Sequence, residues 1–368
     1  MRIAVLANLK QNAPTWEGMP PDQWDDLDSP KTVESIIHAL EERGHQAEFF
    51  EANIRSPFNL VERLQAYRPD LCFNIAEGHF GDGREAQIPA ILEMLEIPYT
   101  GSKVLTLALA LDKPMTKRIL WYHGLPTPEF QVFDQADEPL DADLLDDRQE
   151  ELRFPMFIKP SREGTSMGVS AESIVHTVEQ LYTQVDRQLR RYRQPILCEH
   201  YIKGREITVG MVGNIKPPAA RRLSDHTAPH MLPEGLTFFP ALEINTGVVD
   251  DSEGGLYTNR MKVEWAEDER FYSCPAPLEA GFEHELRLLA AAVFRVTGCK
   301  DVARVDFRLD EENGNKPYIL EVNPLPGLNP GYSDLCIQAR AAGWRYEDLV
   351  NTIVDLAWER QKLVEQTG

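Results

Sequence analysis

Short apolar runs alternate with amphipathic segments in the first hundred residues of the chain. The runs of strand length lie at residues 1–9, 46–50 and 71–75. Between the first two runs, apolar residues spaced three and four apart predict a helix. Ser29 and Pro30 supply its N-cap and its first residue, and Gly44 ends it. Strands that alternate with helices are typical of a parallel α/β domain, which we expect over residues 1–102.

Two polar loops follow the predicted strands of this domain. In parallel sheets ligands bind at the carboxyl ends of the strands, and here these ends lead into residues 8–28 and 77–83. The first loop is rich in proline and aspartate, and it is equally consistent with a substrate loop and with a surface excursion. At the second loop, Glu77 and Arg84 are candidate substrate contacts.

A second domain is predicted over residues 103–211. It begins with one predicted helix at residues 104–123 that carries Lys113, which on its own is typical of a surface lysine. Residues 135–151 are a strongly acidic insertion that we expect to be solvated surface.

The second domain also contains a candidate phosphate-binding loop. Residues 154–168 read as a strand that ends in Lys159, followed by a loop of small residues and glycines. Such a loop exposes backbone N–H groups to phosphate, and the lysine supplies a countercharge. The P-loop pattern is absent, so an ordinary hairpin is the alternative interpretation.

The third predicted domain, residues 212–368, begins with a long stretch that lacks a clear period, residues 215–274. His226 and His230 are four residues apart in it, but Pro229 between them argues against a helical metal-binding pair. Three helices are predicted beyond it, at residues 278–297, 333–342 and 346–363.

A predicted hairpin in this domain gathers acidic side chains. Residues 302–309 alternate apolar and charged side chains, and a second β-rich run lies at residues 318–322. A turn centred between Asn313 and Gly314 places Asp306 opposite Glu321 and Arg304 opposite Asn323, all on one face.

Two carboxylates directly opposite each other repel unless a cation lies between them. Carboxylate and amide oxygens suit Mg²⁺ or Mn²⁺, so the pair of Asp306 and Glu321 predicts a metal site, with Asn323 on the same face. A solvated strand face with an accidental charge pair is the alternative. After the hairpin, Pro324 and Pro326 cannot extend the sheet, and Gly327 lets the backbone approach a ligand.

The composition excludes several classes of function. A net charge of -21 would repel nucleic acid and anionic membranes, so we expect neither as a partner, and an anionic ligand needs a local basic pocket. The five cysteines contain no C-x-x-C pair, which argues against a disulfide framework or a zinc site and is consistent with a reducing cytosol. No segment is typical of a signal peptide or a membrane span, so we expect a cytoplasmic protein.

Several sequence blocks occur together and in a recognisable order. They are IPAILEMLEIPYTGS, LDKPMTK, FPMFIKPSREGTSMG, ILCEHYIKGREITV, CKDVARVDFRLD and YILEVNPLPG. With them, the chain from about Leu71 to its end resembles the D-alanine:D-alanine ligase branch of the ATP-grasp superfamily. The resemblance implies an α/β (α+β) fold of the ATP-grasp type, with a parallel N-terminal domain and two small antiparallel-sheet lobes around ATP.

The same resemblance implies roles for individual residues. Lys113, Lys159 and Ser166 would contact the ATP phosphates, Glu199 and Ile202 the adenine, and Glu206 the ribose. Asp306, Glu321 and Asn323 would hold two Mg²⁺ ions, with Arg304 on the transferring phosphoryl group. Gly327 would donate a backbone N–H to the tetrahedral oxyanion, and Ser333, one residue out of register, would bind the acceptor carboxylate.

The implied activity is Mg-ATP-dependent ligation of two amino acids through an acyl phosphate, with release of ADP and phosphate, by an enzyme that is a homodimer. D-alanine is the default substrate. The family's glycine-rich loop with its glutamate is missing from residues 8–28, Glu77-Gly78 replaces its histidine-glycine signature, and its lid tyrosine has no counterpart between Leu223 and Trp265. Other amino acids or a peptide therefore remain open as substrates, and a nucleotide-binding pseudo-ligase is a second alternative.

Overall fold

Three sheets form the framework of the chain in the computed structural model, which describes residues 1–140, 154–216, 231–245 and 271–367. The first sheet is parallel, with strand order β2-β1-β3. Its strands are β1 (Arg2–Ala7), β2 (Gln46–Glu51) and β3 (Leu71–Asn74), and its helices are α1 (Pro30–Glu42), α2 (Leu60–Tyr67) and α3 (Gln87–Met94). Ser29 caps α1 by accepting a hydrogen bond from the backbone N–H of Thr32, as the sequence predicted.

The prediction of one helix over residues 104–123 was wrong. Two helices occupy this stretch, α4 (Val104–Leu111) and α5 (Lys113–Tyr122). The break is at Asp112, whose side chain accepts a hydrogen bond from the N–H of Met115, and Pro114 begins α5 because it cannot continue α4. As a consequence Lys113 lies at the start of a new helix and is 9% exposed, so it is not a surface lysine.

The second sheet is antiparallel, with strand order β4-β7-β5-β6. Its strands are β4 (Phe130–Phe133), β5 (Met156–Pro160), β6 (Ile174–Val175) and β7 (Ile196–His200), and α6 (Val178–Tyr192) packs on it. Thr177 caps α6 through the N–H of Gln180. Most of the predicted acidic insertion lies outside the described residues.

The third sheet is also antiparallel, with order β11-β10-β8-β12-β13 and β9 paired to β8. Its elements are β8 (Glu206–Gly213), β9 (Leu236–Phe238), β10 (Leu242–Ile244), β11 (Tyr272–Ser273), β12 (Val302–Asp310), β13 (Lys316–Asn323) and α7 (Ala280–Thr297). The stretch at residues 215–274, predicted to be irregular, thus contributes three strands in its described parts. They are two or three residues long, too short for a hydrophobic period to reveal. His226 and His230 lie outside the described residues.

The C-terminal helices, α8 (Asp334–Ala341) and α9 (Tyr346–Thr367), return the chain to the first sheet. α9 packs against α1, and both contribute to one apolar core with β1. Arg360 of α9 also forms an ion pair of 2.8 Å with the fully buried Asp301 and donates to the carbonyl of Gly101. The first sheet is therefore packed against both its own helix α1 and the C-terminal helix α9.

The mixture of a parallel sheet and two antiparallel sheets confirms the predicted α/β (α+β) class. The domain boundaries after residues 102 and 211 stay predictions, and the second of them falls within β8, which pairs with β9, β10 and β12. Among the described residues, no helix combines the length and apolar character that crossing a bilayer requires.

Candidate active site

The hairpin of β12 and β13 brings the predicted acidic pair together. Asp306 lies opposite Glu321 and Arg304 opposite Asn323, which confirms both predicted pairs. Closer to the turn the register differs by one residue, because a bulge interrupts the ladder between Asp306 and Phe307. The bulge turns Leu320 as well as Glu321 toward the same cavity.

A cavity of about 110 Å³ lies between the second and third sheets. Most of the side chains that the sequence singled out line it. They are Lys113, Lys159, Ser166, Glu199, Ile202, Glu206, Arg304, Asp306 and Glu321. A second cavity, of about 200 Å³, shares Lys113, Arg304 and Glu321 with the first and is also lined by Glu77, Asn323, Gly327 and Ser333. The two cavities therefore adjoin at the hairpin.

Asp306 is held by several donors at the floor of the first cavity. Arg304 donates from Nε at 2.9 Å and from Nη2 at 3.0 Å, Asn323 donates its amide at 2.9 Å, and the hydroxyl of Thr208 also donates. The remaining nitrogen of Arg304 lies 2.9 Å from Asp334. Burial lowers the pKa of the Arg304 guanidinium, but the charges of Asp306 and Asp334 raise it by more. The pKa therefore lies above its ordinary value.

A buried ion-pair triad stands at the other side of the first cavity. Glu199 of β7 lies 2.6 Å from Nζ of Lys117 and 2.7 Å from Nζ of Lys159. Burial raises the pKa of Glu199, but the two lysines together lower it by more. The net pKa lies below its ordinary value, so the carboxylate stays ionised. Burial also lowers the pKa of Lys117 to about 8, against the pull of Glu199. The triad fixes Lys159 at the cavity wall with its charge retained.

The glycine loop joins β5 to β6, which pair antiparallel, and its backbone is tightly folded. Thr165 and Ser166 adopt positive φ angles of 47° and 56°, and Gly168 has φ of 75°. A Cβ on Gly168 would lie 2.8 Å from Cγ of Pro160, so this position has room for glycine alone. The backbone is thereby folded tightly over the first cavity.

The loop at residues 8–28 packs against this glycine loop. Asp22 accepts hydrogen bonds from the N–H of Gly168 at 3.0 Å and from the hydroxyl of Tyr192 at 2.8 Å. Arg84 links the same elements, since it donates to the carbonyl of Arg162 at 2.6 Å and to Asp26 at 2.9 Å. Of the two interpretations left open for this loop, a position at the site is the one that these contacts support.

Arg84 lies behind the wall of the second cavity rather than in its lining. Its guanidinium contacts Asp26 at 2.9 Å and Glu163 at 3.4 Å, and it is 7% exposed. Ser333 lies inside the second cavity beside Gly327, where its hydroxyl accepts a hydrogen bond from the N–H of Asn329. A Cβ on Gly327 would lie 2.9 Å from this hydroxyl.

Comparison with known proteins places this arrangement in a family. The sequence profile described as "D-ala D-ala ligase C-terminus" matches residues 119–227 and 242–355, more than half of the chain. The chain belongs to the D-alanine–D-alanine ligase family. The D-alanine–D-alanine ligase of Pelotomaculum thermopropionicum is 33% identical over 334 residues, which cover 89% of this chain and 92% of that protein. The ligase of Janthinobacterium sp. is 32% identical over 322 residues.

The family likeness extends to the N-terminal part of the chain and to the fold. The "uncharacterized protein y4sG" of Sinorhizobium fredii is 32% identical over 374 residues, 98% of each chain. The structure of the D-alanine–D-alanine ligase of Bacillus anthracis, solved in complex with ATP, superposes with a TM-score of 0.69 at 22% identity and covers 98% of this chain. The predicted ATP-grasp fold and the predicted enzyme class, an ATP-dependent ligase, are confirmed.

Several residues of this site, among them Lys117, Thr208 and Asp334, were not identified from the sequence. Lys117 lies one helical turn after Lys113 and three residues before Leu120, which places it on the buried face of α5. A lysine on an apolar face needs a buried partner, so this spacing could have revealed it. Its partner Glu199 lies far away in sequence, and only the pairing of sheets brings the two together.

Proposed function

We propose that the chain joins two amino acids by activating the carboxylate of one with ATP. A carboxylate is a poor acyl donor because oxide is a poor leaving group, whereas an acyl phosphate can be attacked by an amine with loss of phosphate. ADP and phosphate would be the other products. The observation that carries the proposal is the junction of the two cavities at Lys113, Arg304 and Glu321.

The first cavity suits a nucleotide. Lys113 and Lys159 offer positive charge at one end, and the backbone of the loop around Ser166 offers N–H groups there. Ile202 and Leu320 give the opposite region apolar walls for a purine, with Glu206 beside them for the ribose. We assign to Glu199 the task of holding Lys159 in place, because its carboxylate is engaged by two lysines rather than turned toward a base.

The hairpin has the ligand types that a hard divalent cation requires. Asp306, Glu321 and Asn323 supply carboxylate and amide oxygens on one face, and Arg304 and Lys113 now balance their charge. These residues would hold Mg²⁺ or Mn²⁺, which when bound would neutralise the charge that gathers on the phosphates during transfer. Two ions are expected from the family likeness.

The residues at the junction would act on the acyl group. The guanidinium of Arg304 is held by Asp306 and Asp334, and Arg304 lines both cavities. Its positive charge would stabilise a phosphoryl group during transfer. The backbone N–H of Gly327 would donate to the tetrahedral oxyanion, Ser166 would close over the reacting phosphate, and Ser333 would position the acceptor carboxylate. Glu77 and Arg84 would serve the first substrate, Glu77 directly and Arg84 by fixing Asp26.

Release of ADP and phosphate across a panel of amino-acid pairs tests this proposal. We expect turnover that requires Mg²⁺ and two substrates, and mass spectrometry should detect a peptide product. D-alanine as both substrates is the first combination to try. Turnover only with other amino acids or with a peptide would favour the alternative substrates. Nucleotide binding without phosphate release from any pair would instead indicate a pseudo-ligase. A homodimer stays a prediction that light scattering can test.

A further inference from the structure

The second cavity has an unusually acidic wall at the side away from the hairpin. Three separate segments at the carboxyl end of the first sheet contribute carboxyl groups to it. Asp26 and Asp28 come from the loop before α1, Glu77 follows β3, and Glu85 precedes α3. This convergence is independent of the nucleotide-binding residues, which come from the other two sheets.

The cations that the described residues provide are already engaged elsewhere. Arg84 pairs with Asp26 and Glu163, Lys113 lies beside Glu321, and Arg304 pairs with Asp306 and Asp334. Arg84 also acts on Glu77 and Glu85, and Lys113 acts on Glu85, but Asp26, Glu163 and Glu321 share the same two cations. The carboxyl groups of this wall therefore outnumber the cations beside them.

Asp26 shows the same shortage of donors at a single atom. Its side chain is 6% exposed and one oxygen binds Arg84, but the other oxygen is buried and accepts no hydrogen bond from any described residue. A buried carboxylate oxygen that lacks a donor is costly, and such an atom in a cavity wall indicates a place for a ligand donor. The donor should be cationic, since the oxygen belongs to an anion.

The pKa values of the acids in this wall agree with a cation-binding role. Burial, together with the neighbouring charge of Asp26, raises the pKa of Asp28 to about 8. Burial also raises the pKa of Glu85 to about 7 and that of Glu77 well above its ordinary value, and these two side chains share a hydrogen bond. A cation bound beside these carboxyl groups would lower their pKa values and favour their charged forms.

The space between the carboxyl groups suits an organic cation. Asp26 and Asp28 belong to one segment, and Glu77 and Glu85, which share a hydrogen bond, belong to two others. Together they line a cavity of about 200 Å³, which has room for a ligand with several N–H donors.

We propose that the second cavity accepts an amino acid that carries a cationic side chain in addition to its α-ammonium group. The α-ammonium needs one carboxylate for charge balance, whereas this wall offers three acids beyond those paired to Arg84. A basic amino acid of the lysine or ornithine class would match them better than D-alanine. This inference rests on the proposed ligase function and names its substrate class.

Matched amino-acid pairs test the inference in the full-length enzyme with Mg-ATP. Lysine is compared with norleucine and ornithine with norvaline, in both enantiomers, alone and together with D-alanine, and phosphate release gives kcat/KM. A charge-assisted contact to a buried carboxylate predicts a preference of at least about tenfold for the cationic member of a pair. Equal or better use of norleucine and norvaline would overturn the inference while leaving the ligase function intact.

Variants locate the preference in the acidic wall. Glu85→Gln and, separately, Glu77→Gln should lower the ratio of kcat/KM for lysine over norleucine about tenfold. Glu41→Gln, on the exposed face of α1, is the control and should leave that ratio unchanged. Thermal unfolding of each variant checks that it folds, and the result from either folded variant decides the point. An unchanged ratio in a folded variant would contradict the inference.

A binding measurement separates this inference from the ligase proposal. If no amino acid supports phosphate release, the ligase function fails, and titration calorimetry of lysine and norleucine into the protein with ADP and Mg²⁺ then decides the inference alone. We expect lysine to bind at least about tenfold more tightly. Absence of that difference would refute a cation-selective cavity.

Discussion

Asp306 and Asp334 bind the same guanidinium, and this gives the proposed metal site a matched pair of variants. Arg304 lies 2.9 Å from each of them, and their side chains are 11% and 10% exposed. Asp306 is a proposed metal ligand and Asp334 is not. Asp306→Asn and Asp334→Asn each remove one negative charge beside Arg304 without a change in side-chain size.

The two variants should lose similar stability and very different activity. Each weakens charge-assisted hydrogen bonds to a buried arginine that keeps its other aspartate, so the free energy of unfolding should fall by about 1.5–3 kcal/mol in both. Loss of a metal ligand removes several kcal/mol of charge stabilisation in the transition state, so Asp306→Asn should lower kcat at least about 10³-fold. Asp334→Asn should lower it about tenfold or less.

Phosphate release measured over a range of Mg²⁺ concentrations, with thermal and denaturant unfolding of both variants, makes the comparison. The Mg²⁺ concentration at half-maximal rate should rise in Asp306→Asn and stay constant in Asp334→Asn. If the two variants lose equal activity, Asp306 acts through Arg304 and the hairpin is not the metal site. An Asp306→Asn enzyme that keeps more than a tenth of its activity would refute the assignment outright.

Three further outcomes follow from contacts around the cavities. Gly168→Ala should destabilise the fold by about 1–3 kcal/mol and raise KM for ATP, because its Cβ would meet Pro160 at 2.8 Å and φ is 75°. An unchanged free energy of unfolding would contradict the tight packing of this loop. Asp22→Ala should raise KM for ATP in steady-state assays, since it releases the N–H of Gly168, whereas Asp137→Ala on the surface should not. The pKa of Asp28, raised to about 8, means that the folded state binds more protons than the unfolded state between about pH 4 and 8. The ligand-free protein should therefore lose stability as pH rises through that window, and Asp28→Asn should flatten the loss in pH-dependent unfolding, whereas an identical pH profile would refute it.

The parts of the fold that depend on local chemistry were predictable from the sequence. Ser29 marks a helix start by the N–H group that it caps, and α1 begins at Pro30 as predicted. The same local logic was available at Asp112 and Pro114 but was outweighed by a continuous apolar pattern on both sides. Caps deserve more weight than periodicity where the two disagree, because a cap satisfies specific backbone groups.

The hairpin shows both the strength and the limit of register reasoning. The predicted pairs are correct at Asp306 and Arg304, yet the ladder near the turn is centred on Asn313, half a residue earlier than predicted. The bulge at Leu320 offsets that difference before the strand reaches Glu321. The adjacent apolar residues Ile319 and Leu320 break the alternation and are the signal that was available for it.

Contacts between segments that are distant in sequence could not be predicted from the sequence alone. Lys117 and Glu199 are 82 residues apart, Asp22 and Gly168 are 146 apart, and neither pair has a local pattern that names its partner. Such contacts depend on how the three sheets pack. The sequence could say that a buried lysine needs an acid, but not which acid.

The loop at residues 8–28 joins the two halves of the proposed reaction. Asp22 binds the glycine loop over the first cavity, and four residues later Asp26 binds Arg84 and lines the second. Arg84 in turn donates to Arg162 at the start of the same glycine loop. A cation bound beside Asp26 would compete with Arg84 for that carboxylate, so occupancy of the second cavity would act on the loop over the first. Substrate and nucleotide should therefore influence each other's binding, and by thermodynamic reciprocity the effect must be equal in both directions.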